Sequence, residues 1–125
     1  MHVHGVDIVE ISRIEEAVKT WGDRFLNRIY TDGEREFCRG RNPELATRFA
    51  GKEAVMKALG TGWKGVSWRD IEILTSDSGA PSVHLGGGAK VRAEYLGLEE
   101  LVITLSHAKH YAVASVVGTR KENGA

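Results

Sequence analysis

The order of its local patterns constrains this chain most: helix signals crowd the first half, and alternating apolar runs fill much of the second. A doubly wound parallel sheet needs strand and helix to alternate throughout, whereas segregated runs give an antiparallel sheet with helices packed against it. The expected class is therefore α+β, with an antiparallel sheet. A chain of 125 residues is the size of one domain, and no repeat or Pro- or Ser-rich linker divides it. We place that domain at residues 1–118 and read 119–125 as a polar, frayed tail.

The β-branched stretch Val3–Ile11 reads as an opening strand, ending near Asp7 or Ile8. Ser12 and Glu15 have capping-box spacing, which starts a helix running to Trp21 and stopped by Gly22. Thr31 and Glu34 repeat the pattern for a shorter helix to about Arg39. Asn42 as N-cap and Pro43 at the first helical position open a third helix, which runs to Leu59 and stops at Gly60. Leu45, Phe49, Met56 and Leu59 form its apolar stripe, and Gly51 is a weak spot costing roughly 1 kcal/mol relative to Ala. Val66–Leu74 reads as a strand, Ser78-Gly79 as a turn, and Pro81–Leu85 as an edge strand. A short helix over Ala89–Leu96 stops at Gly97, and two strands follow, Glu100–His107 and Tyr111–Gly118, joined tightly through Ala108–His110.

Formal net charge is zero, so nothing global points to nucleic acid or a membrane. Between Arg35 and Lys64 seven basic residues face three acidic ones, a local bias that reads first as a solvated face. Cys38 is the lone cysteine; it fits a small buried thiol in a reducing compartment, and the expected location is cytoplasmic. No apolar run approaches the ~20 residues of a membrane span.

Gly60-Thr61-Gly62-Trp63-Lys64-Gly65 matches the G-x-G-x-x-G spacing of a dinucleotide turn. That turn must follow a strand and open a helix, so that a pyrophosphate meets the helix N-terminus. Here a helix precedes and a strand follows, which leaves only a Gly-rich loop where a ligand can approach backbone. Just upstream, Glu53 and Lys57 are four apart on one helical face. By spacing alone they read first as a surface ion pair worth a few tenths of a kcal/mol. Lys52 falls on the apolar stripe, where it must snorkel or find a partner. Asp7 interrupts an apolar strand and is either a turn or cap acid or a hard-cation ligand. With Glu53 it would suit Mg²⁺, which takes one or two carboxylates plus substrate phosphates; Lys57 would then neutralise phosphate charge. His107 reads as structural on spacing alone, and the absence of a Cys/His cluster removes zinc.

Five segments, Gly5–Ile14, Arg24–Glu34, Ala46–Gly62, Trp68–Leu74 and Ile103–Val117, occur in an order and spacing that resemble the short bacterial holo-[acyl-carrier-protein] synthases. These belong to the 4′-phosphopantetheinyl transferases, and the likeness spans nearly the whole chain. The resemblance implies that fold, assembled as a homotrimer whose active sites are shared between subunits. It also implies transfer of 4′-phosphopantetheine from coenzyme A to a serine of apo acyl carrier protein, for fatty acid synthesis. Adenosine 3′,5′-bisphosphate would leave.

Residue by residue, Asp7 and Glu53 match the metal-binding acids for Mg²⁺, or Mn²⁺ in its place, and with Lys57 form the catalytic set. Lys57 also matches a phosphate contact. Arg48 and His107 match coenzyme A contacts near its 3′-phosphate, and Gly60, Thr61 and Gly62 the loop beside the nucleotide. Arg13, Arg24 and Arg28 match the basic surface that receives the acidic carrier protein. Glu53, or water held by the metal, would take the serine proton. Gly51 departs from the family, which more often carries Ala or another helix former there. A scaffold that kept the fold without activity, or an Mg²⁺ enzyme on another pyrophosphate, would be the other readings; a scaffold has no need of all three catalytic residues.

Overall fold

A computed structural model describes residues 1–60 and 64–121. Strand β1 (His2–Glu10) leads into helices α1 (Ile11–Trp21), α2 (Asp23–Ile29), α3 (Asp32–Cys38) and α4 (Asn42–Leu59). A 3-10 turn at Trp68–Asp70 precedes β2 (Ile71–Thr75) and β3 (Pro81–Leu85). Helix α5 (Gly87–Leu96) and strands β4 (Leu98–His107) and β5 (Tyr111–Arg120) complete the described chain. The α+β class with antiparallel strands is as expected, but the strands form two sheets. One is three-stranded in the order β1-β5-β4, and the other is the β2-β3 hairpin.

Helix α4 is the axis of the molecule. It packs against β1, β4 and β5 on one side and against α1, α3, α5 and β2 on others. The expected stripe of Leu45, Phe49, Met56 and Leu59 does meet the core, Phe49 only half-buried, but it is not alone: Ala46, Ala50, Gly51, Ala54, Val55 and Ala58 are buried as well. Small residues let backbones close in around the helix. Gly5 is the sharpest case, since a Cβ there would run into the Ala54 carbonyl. Gly51 is not a weak spot but a close approach, because a Cβ would strike Ile73 and crowd Ile103 and Leu105.

The other face of the three-stranded sheet has no cover within the described chain. Val6, Ile8, Val102, Tyr111 and Val117 are exposed there, whereas Ala112, Ala114 and Val116 alternate with them onto the α4 side. Such a continuous apolar face is rare on a monomer.

Local chemistry corrects several boundaries. Thr31 makes the expected capping box with Glu34, and Gly60 ends α4 in the left-handed conformation. Ser12, in contrast, lies inside α1, which begins at Ile11 directly after β1 without a side-chain cap. Asn42 is likewise within α4, and Arg41 occupies the cap position. Val66–Asp70 is not strand: Ser67 and Asp70 cap each other around the 3-10 turn, so β2 starts at Ile71. Helix α2 was not foreseen; its seven residues are too few to display a helical period. Strand β5 reaches Arg120, two residues past the expected boundary, and most of the expected tail, residues 122–125, lies outside the described residues.

The basic run from Arg35 to Lys64 is not one solvated face. Arg48 and Lys52 are buried, each against an acid. Lys52 did find a partner: its ammonium lies 2.7 Å from Glu34 and donates to the Trp68 and Ile71 carbonyls. Burial pulls its proton affinity down while Glu34 opposes the shift. Glu34 also accepts from the Thr31 and Ile73 amides, so this pair ties α3, α4 and β2 together. Cys38 is the buried thiol expected, pushed up to about 11 by burial.

Candidate active site

Strand β1 does not end near Asp7. It continues to Glu10, which leaves Asp7 in mid-strand, paired with Ala114 and on the side of the sheet that faces α4. Gly5, two residues earlier, allows the close approach of β1 to α4 and so brings Asp7 against the last two turns of that helix. There the Lys57 ammonium donates to the Asp7 carboxylate at 2.9 Å and to the Val6 carbonyl at 3.0 Å. The expected Glu53–Lys57 surface pair is thus superseded: Lys57 reaches across to the strand.

The Glu53 carboxyl is held above the usual range, first by burial, then by the charge of Asp7 and hydrogen bonding with it, against the pull of Lys57 and Arg13. Lys57 is shifted up, chiefly through its hydrogen bond to Asp7. Asp7, Glu53 and Lys57 thus form one cluster at the rim of the α4–β1 seam, and Arg13 of α1 faces it.

Two carboxylates close enough to share a proton repel one another when both ionise, and a divalent cation between them would relieve that repulsion. No group of three or more His, Cys, Asp or Glu ligands occurs among the described residues. The donor set suits an ion that completes its shell with water and phosphate oxygens, as Mg²⁺ does, and not one that demands a closed protein cage.

A second cluster lies toward the other end of α4. Arg48 is buried, with its guanidinium 4.4 Å over the Phe37 ring. It donates to Glu44 and Thr47 at 2.9 Å and also to Thr75. His107, at the end of β4, stands 3.7 Å from the same Glu44 carboxylate. Arg48, His107 and Glu44 line a cavity of about 260 Å³ with Thr75, Leu105 and Ser106. Arg48 and Lys57 are nine positions apart, which on a helix places them roughly 13 Å apart along the axis and on opposite sides. One chain therefore holds the acid cluster and the Arg48–His107 cluster as two separate sites. Of the residues here, Glu44 and Thr75 were missed by sequence reasoning. Glu44 could have been found from its i,i+4 spacing to Arg48, but Thr75 carried no signal.

Arg24 and Arg28 of α2 line a third hollow, of about 380 Å³, with Trp21 and Phe25; Arg24 lies over the Trp21 ring. Arg13, on α1, belongs instead to the rim of the acid cluster. Gly60 caps α4 beside Arg92, whereas Thr61 and Gly62 lie outside the described residues.

The profile of the 4′-phosphopantetheinyl transferase superfamily matches residues 4–116. The chain belongs to that family. Among its relatives, holo-[acyl-carrier-protein] synthase of Gloeobacter violaceus is 46% identical over 120 residues, covering 93% of this chain and 91% of that protein. The Dehalococcoides mccartyi protein of the same name is 50% identical over 113 residues, covering 90% and 94%. The structure of Helicobacter pylori holo-[acyl-carrier-protein] synthase in complex with coenzyme A superposes with a TM-score of 0.85 at 37% identity, covering 93% of this chain and 99% of that one. In this 4′-phosphopantetheinyl transferase, motif residues spread from position 7 to position 107 meet along the length of one helix, α4.

Proposed function

We propose that the protein transfers 4′-phosphopantetheine from coenzyme A to a serine of apo acyl carrier protein, giving the holo carrier and adenosine 3′,5′-bisphosphate. The observation that carries this reading is the Asp7–Glu53–Lys57 cluster, in a chain about half identical to proteins named for that reaction. The carrier serine oxygen attacks the phosphorus that bears pantetheine, the pyrophosphate bridge breaks, and the bridging oxygen leaves with the nucleotide.

Lys57 supplies a fixed positive charge for the oxygens on which charge develops. Its present acceptors, Asp7 and the Val6 carbonyl, hold it at the mouth of the seam. In this reading the Glu53 carboxylate is the group that accepts the serine proton. Asp7 and Glu53 would hold Mg²⁺, or Mn²⁺ in its place, which when bound neutralises pyrophosphate charge. Arg13, facing Glu53, and the Arg24–Arg28 surface present guanidinium forks to an acidic carrier protein as it approaches.

Arg48 and His107 bind the phosphomonoester at the far end of coenzyme A, and Gly60 comes beside the nucleotide. Since Arg48 and Lys57 face opposite ways on α4, one substrate meets both clusters most simply when they come from neighbouring subunits. The exposed apolar sheet face, with Val6, Ile8, Val102 and Val117, supports a homotrimer that buries it and completes the site. No described helix is long and apolar enough to cross a membrane; a cytoplasmic place fits the lone buried thiol and the function in fatty acid synthesis.

Incubation of the purified protein with apo carrier protein, coenzyme A and Mg²⁺, followed by mass spectrometry, tests the reading. The expected result is a carrier heavier by one phosphopantetheine, and an unmodified carrier would refute it.

A further inference from the structure

The cavity between α4, β3 and β4 contains a feature that nothing in the transfer reaction requires. A carboxylate, Glu44, sits 2.9 Å from the Arg48 guanidinium and 3.7 Å from the His107 imidazole. Arg48 is only 5% exposed and is fixed by Thr47, Thr75 and the Phe37 ring, yet its Nε has no partner among the described residues. A buried guanidinium, an imidazole and hydroxyls lining one cavity are the chemistry of a seat for a phosphate monoester. The occupant in the free chain is the protein's own side chain. Glu44 is 23% exposed and stands in the first turn of α4, so it can swing out while Arg48 cannot.

We infer that Glu44 is an internal competitor for this seat. An incoming phosphate monoester takes over its contacts with Arg48 and His107, and the carboxylate turns out to solvent. The inference rests on the coenzyme A reading above, because coenzyme A carries such a monoester on its ribose in addition to the pyrophosphate. Glu44 then sets specificity. It taxes every ligand that must displace it and leaves untouched a ligand that lacks the monoester, so it narrows the margin between coenzyme A and 3′-dephospho-coenzyme A. Glu44→Gln keeps the shape of the side chain and removes the charge that competes.

The test is calorimetric titration of the parent and Glu44→Gln with coenzyme A and with 3′-dephospho-coenzyme A. The variant is expected to bind coenzyme A about fivefold or more tightly than the parent, with 3′-dephospho-coenzyme A changed by less than about twofold. Unchanged or weaker binding of coenzyme A would overturn the inference, because Glu44 would then simply anchor Arg48. Equal tightening of both ligands would also overturn it, since the charge would then act as a general field and not at the monoester seat. Transfer to apo carrier protein, assayed on the same parent preparation, reads the functional assignment separately. A parent that binds coenzyme A without transferring leaves the Glu44 comparison decisive, and one that binds neither ligand refutes both.

Discussion

A carboxyl whose proton is held tightly has consequences for both titration and stability. In the metal-free protein Glu53 is expected to take up its proton above the range of an ordinary glutamate. An NMR titration of the metal-free protein checks this; protonation at the ordinary glutamate value would contradict it, and added Mg²⁺ is expected to lower the value, because the cation favours the carboxylate. The unfolded chain ionises Glu53 first, so stability falls as pH rises from the ordinary glutamate value to the raised one. Glu53→Gln escapes that loss. It is expected to lower turnover by about 100-fold or more while unfolding in urea at neutral pH no earlier than the parent. Gly5 bears on the same site through backbone. Gly5→Ala pushes β1 from the Ala54 carbonyl and is expected to cost about 1–3 kcal/mol, or more, in urea unfolding. Because Asp7 moves with the strand, turnover falls as well. The types of these residues were legible in the sequence, and so was the helical face shared by Glu53 and Lys57. The Lys57–Asp7 pair was not, since fifty residues separate the partners and only packing of β1 on α4 joins them.

The elements are held by devices of unequal visibility. Capping signals at Thr31 and Gly60 were read correctly because their chemistry is local. The Ser12 signal misled, because a strand that runs straight into a helix has already fixed the backbone that a cap would have organised. Lys52 was recognisable as an anomaly on the wrong side of α4, but its partner Glu34 looked fully employed in a capping box. In the folded chain Glu34 does both, and the pair joins three elements in the interior. Lys52→Met leaves the Glu34 charge buried without its cation, and a loss of about 3–5 kcal/mol is expected from equilibrium unfolding. A loss below about 1 kcal/mol would show that water reaches Glu34 once the lysine is gone.

At the scale of the whole molecule, the proposed sharing of sites between chains rests on the two opposed clusters on α4 and on a sheet face left open among the described residues. Co-expressed Glu53→Gln and His107→Ala protomers, each inactive alone, are expected to recover activity at about a quarter of their sites by random assortment in a closed ring. No recovery in mixed assemblies would place both clusters of a working site in one chain. Ile8→Lys, on the sheet face, is expected to dissociate the assembly in sedimentation velocity and to remove activity with it. By itself the sequence determined the α+β class, most of the helix and strand positions, and which residue types are on hand for a metal or phosphate site. These depend on local spacing, capping and side-chain chemistry, which travel with the residues. The tertiary structure decided that α4 is buried on nearly every side, that Asp7 faces it from mid-strand, and that Glu44 rests on Arg48 and His107. Those outcomes depend on how closely backbones approach at Gly5 and Gly51 and on strand register, properties of the packed chain that no single segment carries.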